Sequence, residues 1–415
     1  MLRGRHIIAV IVGLCAITAT SHAQCPGWTS SNPNAPTNLA CAIATSAPSQ
    51  DKSPALSSTV GSTVATQLSQ LPIATAVSGA GLIFNPSLGV FEASKDNGPI
   101  LTQRGDTVGR HKLFLSFTYQ RFNFDSVDGI DLKKLQIVNT LAGGGLFAAN
   151  QLRVDFRVDQ FVGVATFGLT KKVDVSFIVP FSKVTIKSTR TAGSLYSVFN
   201  GVASASPLGS NRCTTANVCA GSQTGLGDVT VGLKANVYKS SSEKTSIAIG
   251  GLVRFPSGDA LNYLGTGAYG IKPYMVVSHR GKRVTPNFSL AYQWNGVSVL
   301  NVDPATSKNL NLPSSFMYSG GVDIQAARRL SFAAEYLGQV VINGPRLTST
   351  TVNAGSTALQ TVKQANGSYS MNNASFGLKL NPFKGLLLSG AALVKLDNAG
   401  LRANVVPMLG VAYRF

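Results

Sequence analysis

From about residue 111 to the C-terminus the chain alternates apolar and polar residues, as half-buried β-strands do. The last segment is the cleanest. Leu401, Ala403, Val405, Pro407, Leu409, Val411, Tyr413 and Phe415 share one phase, against Arg402, Asn404 and Arg414 on the other. Phe288, Leu290, Tyr292 and Trp294 likewise oppose Asn287, Ser289, Ala291, Gln293 and Asn295. Twelve such segments are predicted: about 111–124, 151–168, 173–188, 226–239, 244–256, 269–280, 284–296, 313–325, 328–344, 367–380, 384–397 and 400–415.

The gaps between them run long, short, long, short. Short gaps fall at 170–172, 240–243, 281–283, 326–327 and 381–383; long ones fall at about 125–150, 189–225, 257–268, 297–312 and 345–366. The last connection, around Ala399, is short where a long one is expected. This rhythm is that of an outer-membrane barrel with short periplasmic turns and long external loops. Hydrocarbon leaves no partner for an unpaired backbone group, so a spanning sheet has to close on itself. A soluble β-sandwich would also alternate, but it needs neither the strict gap rhythm nor a terminal aromatic. The expectation is therefore all-β: a transmembrane, antiparallel, up-and-down β-barrel of about twelve strands. Two strands look irregular. The apolar phase Leu152, Val154, Phe156, Val158 resumes at Phe161, a slip at Gln160; that of Val173 to Val179 gives way to Val184 and Ile186 after Pro180. Bulges would produce such slips, and Pro180 removes a ladder donor.

The N-terminus changes the compartment. Arg3 and Arg5, the apolar run 7–17 and Ser21-His22-Ala23 form a secretory signal peptide over 1–23, too short to span a membrane as an anchor. Residues 24–110 read as an irregular N-terminal extension: loop or partly disordered to about 70, then broken by Pro72, Pro86 and Pro99. The barrel is assigned to 111–415. The exported chain keeps four cysteines, for which the simplest pairing is Cys25–Cys41 and Cys213–Cys219. Metal binding is the rival, without a CxxC or a nearby His to support it. Charged residues are only 13% and the formal charge is +19. The basic residues are scattered, so outer-membrane lipid or an anionic solute is the expected partner rather than nucleic acid.

Thr224-Gly225-Leu226-Gly227-Asp228-Val229, Phe255-Pro256-Ser257-Gly258-Asp259 and Leu264-Gly265-Thr266-Gly267-Ala268-Tyr269 resemble strand motifs of the channel family named for the meta-cleavage pathway of phenol degradation. That family is similar to the long-chain fatty-acid and aromatic-hydrocarbon transporters of Gram-negative outer membranes. The resemblance implies passive uptake of small apolar or aromatic compounds, often with an N-terminal segment plugging the lumen. The ending Tyr413-Arg414-Phe415 resembles the C-terminal signature by which the barrel-assembly machinery recognises its clients, through Phe415.

Catalysis is not expected, and no cofactor or metal is. His279 reads as a solvated residue at a strand end. Gly265–Gly270 matches GxGxxG but precedes a strand rather than a helix, so it reads as a tight external loop. Arg153, Asp155, Arg157 and Asp159 alternate along one face. Charges on the lipid face cost several kcal/mol near the midplane, so these four are expected in the lumen or beyond the membrane. The former would make an ion-paired ladder or a polar constriction. The same logic turns Asp228, Lys234, Arg254, Lys272, Glu335, Lys395 and Arg402 inward, as solute-pathway or wall-stabilising residues. Twelve strands enclose a narrow lumen. Leu82, Ile83 and Phe84, or Pro99 and Ile100, are candidates for a plug; the alternative is a periplasmic tail. The function expected is passive uptake of small hydrophobic or aromatic solutes, with their carboxylates included. The alternatives are a general anion-preferring porin and a structural or adhesive barrel.

Overall fold

The computed structural model describes residues 38–40, 54–70, 82–85, 90–93, 100–141, 145–208, 219–303, 306, 308–327, 329–382 and 386–414. The signal peptide, Cys25, Cys41, Cys213, Pro99 and Phe415 lie outside them, as does the side chain of Cys219.

Twelve antiparallel strands form a closed barrel. They are β1 Leu113–Val127, β2 Leu146–Gly168, β3 Val173–Phe199, β4 Thr230–Lys239, β5 Thr245–Arg254 and β6 Gly270–His279. The second half is β7 Val284–Asn295, β8 Ser315–Ala327, β9 Leu330–Ala354, β10 Thr357–Leu380, β11 Leu386–Lys395 and β12 Val405–Arg414. Each pairs with its sequence neighbour, and β12 closes onto β1 from Met408↔Gln120 to Arg414↔Phe114. The twelve periods of alternation thus become twelve strands. The short gaps from 170–172 to 381–383 lie at one end, called here the turn end; the long ones, and the short last connection around Ala399, lie at the loop end.

The outer surface is an apolar belt. Phe117, Phe161, Phe177, Leu233, Ile249, Met275, Phe288, Trp294, Phe332, Phe376, Leu409 and Val411 are all exposed. The opposite phase carries buried polar residues such as Gln120, Gln160, Ser182, Thr230, Asn287, Ser319 and Ser375. This is the pattern of a membrane-spanning barrel, apolar outward and polar inward.

The structure corrects two readings of the wall. No bulge occurs at Gln160, and at Pro180 the irregularity falls on the other side of β3, where pairing passes from Ile178↔Thr230 to Phe181↔Leu226 and residues 227–229 stand opposite Val179 and Pro180. The β2–β3 ladder runs without a shift from Leu152↔Arg190 through Val162↔Pro180 to Gly168↔Asp174; its one irregularity is at Gln151/Leu152. The strand phase is constant and the surroundings change. Phe161 and Phe167 lie on the belt, while farther toward the loop end Arg153 and Arg157, in the same outward phase, meet water. There the inward phase, Leu152, Val154, Phe156 and Val158, packs into an apolar core. The second correction concerns 345–366. It is not a loop: β9 and β10 stay paired from Gly344↔Gly367 out to Ala354↔Thr357.

Part of the stretch read as loop is helical: Pro54–Gln70 is a helix, α1. Pro54 supplies a φ suited to a first helical position. Its hydroxyls fold back on its own carbonyls, Thr66 Oγ1 to Ser62 O at 2.7 Å and Ser69 Oγ to Thr66 O at 2.7 Å. Val64 and Ala65 join Leu39, Ala40, Phe122, Phe156, Tyr263, Leu300 and Leu312 in a core filling the loop end of the lumen.

Candidate functional site: a lumen cavity between two plugs

The turn end is closed by the segment before β1. Residues 100–108, the strap, run inside the barrel and are held from several strands. The Ile100, Leu101 and Thr102 amides donate to the Glu335 carboxylate at 2.9–3.1 Å, joined by the Thr102 hydroxyl at 2.9 Å. The Gly105 amide donates to Ser278 Oγ at 2.9 Å, and Asn236 Nδ2 donates to Gly105 O at 2.8 Å. Lys234 Nζ donates to Asp106 O at 2.6 Å, and the Val108 amide donates to Asp174 at 3.0 Å. A Cβ on Gly105 would stand 2.7 Å from the Ser246 carbonyl oxygen, so only glycine lets the strap lie this close to the wall. Asp106 bridges Arg104 at 3.3 Å and Arg280 at 3.0 Å. Burial pushes the Asp106 carboxyl up, but Arg104, Arg280, Lys239 and Lys234 outweigh it and hold it below the usual carboxylate range.

The loop end is closed by α1 and an infolded loop. Asp228 accepts from the Thr266 amide at 2.7 Å, the Thr266 hydroxyl at 2.6 Å and the Gly258 amide at 3.1 Å. Gly258 and Gly265 touch, and a Cβ on Gly265 would collide with Asp228 Oδ1. This gives the two glycine-bearing motifs a structural meaning: they tuck loop 255–269 into the barrel mouth, where Tyr263 is wholly buried. The GxGxxG match is this loop. Arg254 lies 3.7 Å from Asp228 and donates to Asn295 Oδ1 at 2.7 Å and to Ser69 O of α1 at 3.0 Å.

Between the closures lies a cavity of about 160 Å³. Gln67 of α1 bounds it at the loop end and Leu101, Thr102 and Gln103 of the strap at the turn end. Phe122, Phe124, Met317, Leu337, Leu393 and Val406 form its apolar wall; Lys272, Ser289, Gln339 and Asn373 add polar points. A smaller cavity, about 70 Å³, lies beside Gln160, Asp228 and Arg254, and both are lined by Leu252 and Lys272.

The residues singled out from sequence divide into three groups. Asp228, Lys234, Arg254, Lys272, Glu335 and Arg402 are on the inward phase and near the two closures. Arg402 lines the larger cavity, bonded to Asp397 at 3.3 Å and Asn372 O at 2.6 Å. Lys395 takes the inward phase at the loop end of β11 and bonds Asn398 at 2.9 Å. Arg153, Asp155, Arg157 and Asp159 do not belong to the lumen. They lie on the outer face beyond the belt, paired as Arg153–Asp155 at 3.2 Å and Arg157–Asp159 at 3.1 Å, with Arg121 also on Asp159. Of the plug candidates, Ile100 is in the strap. Leu82, Ile83 and Phe84 form a separate hairpin with Val90–Ala93. His279 is exposed, with Nδ1 2.9 Å from Thr245 Oγ1. Sequence reasoning missed Asp174 and the pair Lys379–Asp323; their inward phase was the available signal.

Residues 138–374 match the family model described as the MetA-pathway of phenol degradation. The chain belongs to this family. No curated protein matches it in sequence. Among solved structures it is similar to an outer membrane channel from Pseudomonas putida F1, at 12% identity and TM-score 0.44, covering 76% of this chain and 99% of that one. It is also similar to the CymD monoaromatic hydrocarbon channel, at 9% identity and TM-score 0.33, covering 74% and 88%. A third is a Pseudomonas aeruginosa FadL homologue, at 7% identity and TM-score 0.29, covering 74% and 89%.

Proposed function

We propose that this member of the phenol-degradation family is an outer-membrane channel for passive uptake of small hydrophobic or aromatic solutes. The loop end faces outside and the strap faces the periplasm. The observation that carries this reading is the lumen cavity, walled by Phe122, Phe124, Leu393 and Val406 between two closures. Concave sites that are mostly apolar, with a few placed polar groups, are built for small organic ligands rather than for bulk water. A water-filled porin would carry a wide polar bore instead. No chemical step is required of the protein: a solute moves from cavity to cavity as side chains and strap give way.

The test is solute entry into liposomes carrying the refolded protein, measured above protein-free vesicles. Benzamide, benzoate and a pentose are compared. Entry of the aromatics with exclusion of the pentose supports the reading. Equal entry of the pentose replaces it with a general porin, and entry of none replaces it with a structural barrel.

A further inference from the structure

We propose that the larger cavity selects small aromatic monocarboxylates, with the carboxylate seated on Lys272. The proposal deepens the channel reading above and rests on it. Lys272 is on the inward phase of β6, between the outward Ile271 and Pro273. It lines both cavities, so its accessible surface opens onto them.

Four other lumen cations are matched by carboxylates. Lys234 is 3.6 Å from Asp174, Lys379 4.0 Å from Asp323, Arg254 3.7 Å from Asp228 and Arg402 3.3 Å from Asp397. Lys272 has no hydrogen-bond or ion-pair partner among the described residues. Of the other charged residues lining the smaller cavity, Arg254 is a cation and the carboxylate Asp228 is already committed to Arg254, Thr266 and Gly258. An ammonium held inside the barrel against a largely apolar lining is costly unless something answers its charge. Here the wall does not answer it, and an incoming anion can.

Size and polarity narrow the anion. An apolar cavity of roughly 150 Å³ holds a benzene ring, and this one is about 160 Å³. Phe122, Phe124, Met317 and Leu393 suit a ring, and a single unanswered positive charge suits one carboxylate rather than a doubly charged phosphate. Ser289 and Gln103 add neutral hydrogen-bonding groups to the same lining.

The experiment is calorimetric titration of benzoate and of benzamide, its neutral isostere, into the refolded full-length protein in detergent. Wild type is compared with Lys272→Met, Lys272→Gln and Lys272→Arg, each checked for intact strand circular dichroism. Wild type is expected to bind benzoate roughly 10- to 100-fold more tightly than benzamide, the worth of one charge-assisted hydrogen bond. That ratio falls to about one in Lys272→Met and Lys272→Gln and is kept in Lys272→Arg. A ratio near one in wild type, or a preference that survives both neutral variants, overturns the proposal. The two readings fail separately. Benzamide entering vesicles without any benzoate preference removes the carboxylate site alone. Benzoate bound through Lys272, with no solute entering vesicles, removes the uptake reading and leaves the site standing.

Discussion

Replacing Glu335 with alanine tests whether the strap is latched as the hydrogen bonds indicate. Its carboxylate accepts from three consecutive strap amides and one hydroxyl, and the residue is only 4% exposed. Alanine leaves the three N–H groups facing an empty place in the lumen. Each loses at least about 1 kcal/mol of net hydrogen bonding, and amides bonded to a charged group lose more. The sum is about 3 kcal/mol or more, a roughly 100-fold rise in local opening. The loss is confined to 100–102, because Asp174, Lys234, Asn236 and Arg280 still hold 105–108. Glu335→Gln keeps one acceptor oxygen and therefore loses less. Amide hydrogen exchange on the micelle-bound protein reads this directly: protection at Leu101 and Thr102 drops while that at Val108 does not. Unchanged protection at 101–102 in Glu335→Ala would refute the latch.

Acid should loosen the other end of the strap. The Asp106 carboxyl is held below its undocked value of about 3.9, so its contribution is present above about pH 4 and lost as pH falls through the docked value. Exchange at Asp106 should rise below about pH 4 and lose this pH dependence in Asp106→Asn; a flat profile in wild type counts against the ion cluster. Gly265→Ala drives a Cβ into Asp228 and toward Gly258, so loop 255–269 should become cleavable by protease while the wall stays folded. Resistance equal to wild type would show that the mouth tolerates the atom. Arg157→Gln and Asp155→Asn lie on the outer face, so solute entry should be unchanged. A changed flux would put them back in the pathway.

The barrel was legible because hydrocarbon enforces one rule along every spanning stretch. Asp228, Lys234, Arg254, Lys272 and Glu335 could be turned inward by counting from Leu233, Val253, Ile271 and Tyr336 on the belt. The rule stops where the strand leaves hydrocarbon, which is why sequence alone left Arg153 to Asp159 open between the lumen and the region beyond the membrane, the second of which the structure shows. A constant strand phase with a reversed environment reads in sequence like a slipped one. The β9–β10 extension failed for a related reason: Thr348, Ser349, Thr350 and Thr351 are polar on both faces, so no alternation survives. Helix α1 left no stripe, since Ser62, Thr63, Val64, Ala65 and Thr66 are all buried and the helix is enclosed rather than half-wet. The cavity depends on α1, the strap and ten strands meeting at one height, which local spacing does not encode.

The course of the strap constrains how the molecule is assembled. The chain leads from Leu39 and α1 at the loop end to Ile100–Val108 at the turn end, and only then begins β1. The closing seam, β12 against β1, joins the two extremes of the wall. A ring already sealed would have to admit α1 and its preceding residues through a bore that Glu335, Lys234 and Asp174 line closely. The simpler order has the extension laid across the nascent sheet and the wall then wrapped around it. On that view the extension acts as a mandrel, and the seam is the step that makes its enclosure irreversible.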